Sequence, residues 1–205
     1  MNRLFLLDVD STLINEEVID VIAAYANVAQ EVKEITDLAM RGEIDFKRAL
    51  SMRVALLEDL PISILEKVSD QITLTTGATE LISKLSSEND HVAVVSGGFF
   101  EIISPLMQRL GIHRYRANKL ESLNGKLTGS TKGPIIDRVA KANYLEELKS
   151  ELNPFQTIAI GDGANDIDMV LNADIGVAFC AKPVLKEVAD VIIEKRDLRE
   201  ILKFL

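Results

Sequence analysis

Cysteine is almost missing from this sequence. Cys180 stands alone among 205 residues, so the chain can form no internal disulfide, which fits a reducing compartment. It lies beside an apolar run and reads as a buried, inert thiol. Histidine is as sparse: His91 and His113 are the two present, and neither has a partner at metal-ligand spacing. No apolar stretch approaches the roughly 18 residues that span a bilayer. The first run, LFLL, stops at Asp8. It is too short for the apolar region of a secretory signal and lacks a small-residue cleavage site. Positive charge is outweighed, with 23 Lys and Arg against 32 Asp and Glu and a formal net charge of −9. There is no basic stripe to offset that charge, so the phosphate backbone of nucleic acid is repelled. Repeats, low-complexity tracts and flexible linkers are absent too. The expectation is a cytoplasmic protein, a monomer or homodimer, without a membrane or nucleic-acid partner.

What is present describes an ordinary globular chain, 47% apolar and 27% charged. At this length about 70% of the unfolded surface can be buried, so neither disulfide nor metal is needed for folding. Short runs rich in Val, Ile and Leu recur at 4–9, 92–95, 157–160, Ile175–Phe179 and Val191–Ile193. They do not alternate with polar residues, as expected of strands buried on both faces of a parallel sheet. Helical stretches lie between them. Residues 77–87 carry Leu81, Ile82 and Leu85 at helical spacing, residues 99–110 end at Gly111, and residues 183–189 open on Pro183. The pattern predicts an α/β class fold, a doubly wound, Rossmann-like parallel sheet.

Two segments break the pattern. Residues 16–71 show only helical periodicity, in four stripes: Val18 to Tyr25, Val32 to Ala39, Phe46 to Leu57, and Ile64 to Val68 after Pro61. Four helices are too many for one crossover, which predicts a helical-bundle cap over 15–75 inserted into a core of 1–14 and 76–205. Asn124-Gly125 is the strongest short hairpin signal. It predicts a β-hairpin from 116–123 and 126–131.

Ligands of an open parallel sheet bind beyond the carboxyl ends of its strands. Asp8 and Asp10 follow the first run, Ser96-Gly97-Gly98 the second, and Gly161-Asp162-Gly163-Ala164-Asn165-Asp166 the third. Three strand ends thus deliver small and acidic groups to one rim. Clustered carboxylates repel one another unless a cation is present. Hard oxygen donors suit Mg²⁺, which usually binds one or two carboxylates plus phosphate oxygens and water. Asp8 and Asp162 are candidate ligands, with Asp10 adding its backbone carbonyl. Mg²⁺ among carboxylates suggests phosphoryl chemistry. One Asp can attack phosphorus, and Asp10 can move protons if its pKa is raised. Ser96, the Gly97 amide and a lysine would neutralise the phosphoryl oxygens. Lys132, just past the hairpin, is well placed, and Lys141 is its rival. Ser11 and Thr12 read as residues that cap and orient the turn.

Each motif alone has a plainer reading. Paired acids suit a strand-end turn, and GDGAND lacks the third Gly of a dinucleotide loop, with Asp166 in its place. Glu17 and Arg53 could be solvated helix charges, and Met40 and Phe46 ordinary packing. A receiver-type signalling module also groups acids, Ser/Thr and Lys on an α/β sheet. It is shorter, however, and has neither the helical insertion nor an acid like Asp10.

DVDST, VVSGG, TKG and GDGANDIDM resemble, in order, the four motifs of the haloacid-dehalogenase-like phosphatases. With Glu17, Met40, Phe46, Arg53 and AFCAKP, the likeness covers essentially the whole chain and is nearest to the branch acting on phosphoserine. It implies Asp8 as nucleophile and Asp10 as general acid/base. It also implies a Mg²⁺ held by Asp8, the Asp10 carbonyl and Asp162, with Asn165 and Asp166 in support. Ser96, Gly97, Gly98 and Lys132 would hold the phosphate, Lys132 being preferred for its TKG context. Glu17 would bind the substrate's amino group and Arg53 its carboxylate. A carboxylate near a phosphate site makes sense only if the substrate also carries a cation, and Arg can grip a carboxylate through a bidentate fork. Phe46 and Met40 would wall off water. The implied reaction is hydrolysis of O-phospho-L-serine through a phospho-Asp8 intermediate, the last step in making serine. The alternatives are phosphotransfer to homoserine, or a broad small-molecule phosphatase with the same chemistry. The family's regulatory N-terminal extensions have no counterpart in this sequence, so feedback through such a domain is not expected.

Overall fold

The computed structural model describes residues 2–204. β1 (Arg3–Leu7) lies at the centre of a seven-stranded sheet. On one side stand β2 (His91–Phe99), β3 (Arg114–Leu123) and β4 (Lys126–Lys132). On the other stand β5 (Gln156–Gly161), β6 (Ile175–Phe179) and β7 (Val191–Ile193). All neighbouring strands run parallel except β3 and β4.

The lack of alternation in the strands has its expected cause. Phe5 and Leu7 pack into one apolar layer. Leu4 and Leu6 pack into the other. The first layer is shared with α5 (Ala78–Ser87) and α6 (Phe100–Leu110) through Leu81, Leu85, Ile102 and Leu106. The second is closed by α7 (Arg138–Leu152), α8 (Ile167–Asn172) and α9 (Pro183–Lys186) through Leu145, Leu148, Met169 and Leu185. The chain moves outward from β1 to one side and then from β5 to the other, so the carboxyl ends of β1 and β5 form the topological switch point.

Between β1 and α5 the chain forms α1 (Val18–Ala26), α2 (Ala29–Met40), α3 (Phe46–Ala55) and α4 (Ser63–Gln71). The outgoing and returning connections run side by side. Asn15 donates its amide to the Thr73 carbonyl and Thr75 donates to Leu13, each at 3.0 Å. Asp45 begins α3 by accepting from the Arg48 amide at 2.8 Å, an N-cap that satisfies one orphan donor of the first turn.

The hairpin forms as its turn chemistry demands, with Asn124 and Gly125 both at positive φ (51° and 79°). Its tip grips the insertion. Leu127 and Leu60 pair at 2.9 Å, and Ile62 donates to Gly125 at 3.0 Å. β3 does more than the hairpin reading gave it, because its first half is also a parallel strand of the main sheet. Cys180 is only half-buried, and its thiol donates to the Glu194 carbonyl at 3.4 Å. No helix among the described residues is long and apolar enough to cross a membrane.

Candidate active site

Asp8 is the first residue beyond β1, and its amide donates to the Ile160 carbonyl of β5 at 2.9 Å. This bond fixes the Asp8 backbone at the switch point. Asp8 (φ −70°, ψ 166°) and Asp10 (φ −62°, ψ 131°) both keep an extended backbone, and Ser11 at φ 56° then turns the chain sharply. Both acids line one cavity of about 900 Å³ between the sheet rim and the helical insertion.

On the next strand, Asp162 and Asp166 complete an acidic cluster with Asp8. One carboxylate oxygen from each lies within 4.8 Å of the others. Asp166 is fully committed. Its Oδ2 accepts from the amides of Asp162 (3.1 Å) and Gly163 (3.0 Å). Its Oδ1 accepts from Lys141 Nζ at 2.6 Å. The carboxylate lies so close to Gly161 that a Cβ there would meet it at 2.5 Å, so the position excludes any side chain.

The structure corrects the lysine. Lys132 is the exposed last residue of β4, paired across the ladder with Lys119, and does not line the cavity. Lys141 is the lysine that reaches the acidic cluster. It rises from α7, wholly buried, and donates to Asp8 Oδ1 and Asp166 Oδ1, each at 2.6 Å. The TKG context drew attention to Lys132. The signal for Lys141 was its spacing. Lys141, Tyr144, Leu145 and Leu148 form one buried stripe of α7, and a lysine on an apolar stripe needs a buried anion as partner.

Electrostatics follow from burial. The Asp8 carboxyl is pushed well above its usual range by burial and by Asp166, against the opposing pull of Lys141. Asp10 is pushed up by burial, then by Glu17 and Asp8. Its Oδ1 is buried without a protein partner, and its Oδ2 accepts from the Val18 amide at 3.4 Å. A carboxyl in that state can carry a proton at neutral pH. Asp162 is pushed up to about 7 by burial and by Asp166. Burial alone would push the Lys141 ammonium down, but Asp166 and Asp8 hold it above the ordinary lysine value. The site therefore has an excess of buried negative charge, and a hard cation would relieve it. Asp8 and Asp162 have the donor chemistry to hold one. Asp166, with both oxygens engaged, can only support it.

The glycine-rich strand end is a bulge rather than a loop. β2 pairs with β3 up to Ser96 and resumes at Phe99, skipping Gly97 and Gly98. Ser96 Oγ is buried and accepts from the Gly98 amide at 2.8 Å, which leaves the hydroxyl proton free to donate. Asn118, missed in the sequence, locks this bulge. Its Nδ2 donates to the Gly97 carbonyl at 2.8 Å, and its Oδ1 accepts from the Ile136 amide at 2.8 Å. Asn118 is buried among non-alternating residues of a strand that changes partners, so no periodic signal marked it.

The insertion supplies the roof. Glu17, at the start of α1, accepts from Ser11 Oγ at 2.7 Å. Ser11 thus orients the turn as expected, whereas the buried Thr12 hydroxyl has no protein partner. Arg53 lies across the cavity, with contacts to Thr36 Oγ1 (3.4 Å) and the Ala49 carbonyl (3.3 Å). It has no ion-pair partner among the described residues. Burial lowers its pKa, while Asp20 and Glu17 counter that shift. Phe46 presses on the bulge, its ring edge 3.2 Å from where a Gly97 Cβ would stand. Met40, Gly97, Gly98 and Asn165 also line the cavity, although Met40 is 66% exposed at its rim.

The comparisons agree with this geometry. The profile of the haloacid dehalogenase-like hydrolases matches residues 5–170. A phosphoserine phosphatase of Methanocaldococcus jannaschii is 50% identical over 205 residues, covering 99% of this chain and 97% of that protein. One from Lactococcus lactis subsp. lactis is 47% identical, covering 98% and 94%. Among solved structures, a phospho-aspartyl intermediate analogue of phosphoserine phosphatase superposes with a TM-score of 0.94 at 48% identity, covering 100% of this chain and 99% of that one. A substrate-bound phosphoserine phosphatase complex gives 0.95 at 47% identity, with 100% and 99% covered. On the profile match and on identities near one half over almost the whole length, the chain belongs to the haloacid dehalogenase-like hydrolase family.

Proposed function

We propose that this chain is a Mg²⁺-dependent phosphatase that hydrolyses O-phospho-L-serine to L-serine and phosphate through a phospho-Asp8 intermediate. The observation that carries the chemistry is the pairing of two buried acids with different partners. Asp8 accepts from the Lys141 ammonium at 2.6 Å, which favours its ionised form. Asp10 lacks any cationic partner within bonding distance, so its carboxyl keeps a proton.

The steps balance with these groups. An Asp8 oxygen attacks phosphorus as the bond to the serine oxygen breaks, and Asp10 gives its proton to that leaving oxygen. Asp10 then takes a proton from water. The water oxygen attacks the phosphoryl group on Asp8, freeing phosphate and restoring the carboxylate. Ser96 Oγ, the bulge amides and Lys141 neutralise the transferring oxygens. Asp8, Asp162 and the Asp10 carbonyl would hold a Mg²⁺, which would supply electrostatic stabilisation of the same oxygens.

The roof supports the substrate choice. An unpaired, half-buried guanidinium opposite a carboxylate suits a zwitterionic head, with Arg53 on the carboxylate and Glu17 on the ammonium. Residues 15–75 act as the cap, and Phe46 and Met40 exclude water when it is closed. A net charge of −9 disfavours a nucleic-acid partner, and the proposed setting is the cytoplasm, with a small molecule as substrate.

The test is acid quenching of the enzyme during turnover of phosphoserine with Mg²⁺, followed by peptide mass spectrometry. One phosphoryl group on the peptide containing Asp8, lost in Asp8→Asn, is the expected result. Turnover retained by Asp8→Asn removes the covalent route.

A further inference from the structure

Beyond β7, residues 194–199 cross both connections between the sheet and the helical insertion. Arg196 Nε donates to Asn15 Oδ1 at 3.0 Å, and its Nη2 donates to the carbonyls of Ser11 (3.2 Å), Ile14 (3.4 Å) and Asn15 (3.4 Å). Two residues on, the Leu198 amide donates to the Thr76 carbonyl at 2.8 Å. The strap also packs hard on the returning connection, where a Cβ at Gly77 would meet Asp197 Oδ1 at 2.6 Å. Asn15 passes the grip across, its Nδ2 donating to Thr73 Oγ1 (3.0 Å) and the Leu74 carbonyl (3.1 Å). The strap is itself anchored. The Cys180 amide donates to the Ile193 carbonyl at 2.7 Å, and Lys186 pairs with Glu194 at 2.7 Å.

The gripped turn is an unusual one. Ser11 is a non-glycine residue at φ 56°, a conformation that persists only where its surroundings over-determine it. Its hydroxyl donates to Glu17 Oε1 at 2.7 Å and its amide to the Glu16 carbonyl at 3.2 Å. A single guanidinium thus holds the carbonyl of the residue whose side chain aims Glu17. The Arg196 side chain is exposed on its outer face. A merely solvated arginine would not aim three N–H groups at four acceptors on one five-residue stretch of chain.

We infer that Arg196 is a positioning residue: it fixes the Ser11 turn from outside the cavity, and through Ser11 it aims Glu17 at the substrate. The part that concerns substrate rests on the reading of Glu17 as the ammonium site.

The experiment uses the full chain with Arg196→Ala, Arg196→Lys, Ser11→Ala and the double variant Ser11→Ala/Arg196→Ala. Amide hydrogen exchange is the first readout. Arg196→Ala speeds exchange at residues 11–15 and 73–76 about tenfold, the scale of one charge-assisted hydrogen bond, and leaves β1 and β5 unchanged. In kinetics, its KM for phosphoserine rises about tenfold, while that for p-nitrophenyl phosphate, which has no ammonium, moves less than about twofold. Arg196→Lys falls between wild type and Arg196→Ala, and it decides the matter if Arg196→Ala does not fold. In the Ser11→Ala background the Arg196→Ala effect on KM shrinks, because the relay is already broken. Unchanged exchange at the turn, equal KM changes for both substrates, or full additivity with Ser11→Ala overturns the inference. A wild-type enzyme that does not prefer phosphoserine sinks the Glu17 reading instead, and the exchange result then decides the role of Arg196 alone.

Discussion

Lys141 Nζ reaches Asp8 Oδ1 at 2.6 Å from the middle of α7, with the lysine side chain wholly buried and that of Asp8 4% exposed. This ammonium opposes the burial and the Asp166 charge that favour a proton on Asp8, the proposed nucleophile. Replacing Lys141 with Ala therefore lowers kcat/KM by about 10²–10³, the cost of one preorganised charge at a developing oxyanion. Lys132→Ala leaves kcat/KM within about twofold, as for an exposed charge far from the chemistry. Steady-state kinetics on the two variants checks both values. Equal losses would return the role to Lys132.

Asp10→Asn keeps the shape of the site and removes the proton. Its kcat falls by about 10²–10⁴, the range of general acid–base catalysis. The fall is smaller for p-nitrophenyl phosphate than for phosphoserine, because nitrophenolate leaves without needing a proton. A ratio of losses near one for the two substrates would mean that Asp10 does not protonate the leaving oxygen.

The acidic cluster makes a pH signature for the metal-free protein. Asp8, Asp10 and Asp162 all have folded-state pKa values above the ordinary carboxylate value, with Asp162 at about 7. The folded state thus binds these protons more tightly than the unfolded state. The stability contributed by Asp162 is complete below about pH 4 and is lost as pH rises through about 7, and Asp8 and Asp10 act in the same direction. Thermal unfolding in chelator should show a Tm that falls between pH 5 and pH 8. Saturating Mg²⁺ should raise Tm most at the upper end, where the carboxylates are free to bind it. A chelator-treated protein whose Tm rises with pH across that window contradicts the assignment.

Arg3 and Asp90 make a second buried pair, away from the site. The Arg3 guanidinium contacts Asp90 Oδ2 at 2.5 Å, with side-chain exposures of 3% and 0%. The Arg3 amide also donates to Asp90 Oδ1 at 2.9 Å. This ties the start of β1 to the turn before β2. Asp90→Ala leaves Arg3 with Glu88 alone, at 2.8 Å, and costs about 1.5–3 kcal/mol, the range of hydrogen bonds to a charged group. The Tm falls on the order of 10 °C, while KM for phosphoserine stays unchanged. Thermal unfolding alongside kinetics separates the two effects.

The sheet and the rim were legible because each strand is a short apolar run that ends in small or acidic residues. Leu4 to Leu7 carry no alternation because both faces of β1 are covered, and that same fact made the run readable. Asp8, Ser96 and Asp162 could be placed on one rim because strand ends of a parallel sheet share a side. Lys141 was harder, because its place on the buried stripe of α7 calls for an anion without saying which one. Its meaning depends on an acid 133 residues away in sequence. Asn118 was invisible for a similar reason, since its partners, Gly97 and Ile136, lie 21 and 18 residues away on other segments. Arg196 reads as an ordinary surface charge until the turn at Ser11 is folded beneath it. Strand patterns are written locally, whereas the polar contacts that lock a site depend on topology.

The measurement that tests the account most directly is the initial rate of phosphate release from L-phosphoserine and from p-nitrophenyl phosphate, phosphothreonine and phosphohomoserine, with Mg²⁺ and with chelator. Glu17 and Arg53 together predict that kcat/KM for phosphoserine exceeds that for p-nitrophenyl phosphate by about 100-fold or more, two charge-assisted contacts' worth, and that chelator abolishes both activities. Equal rates on all four esters, or full activity in chelator, would contradict it.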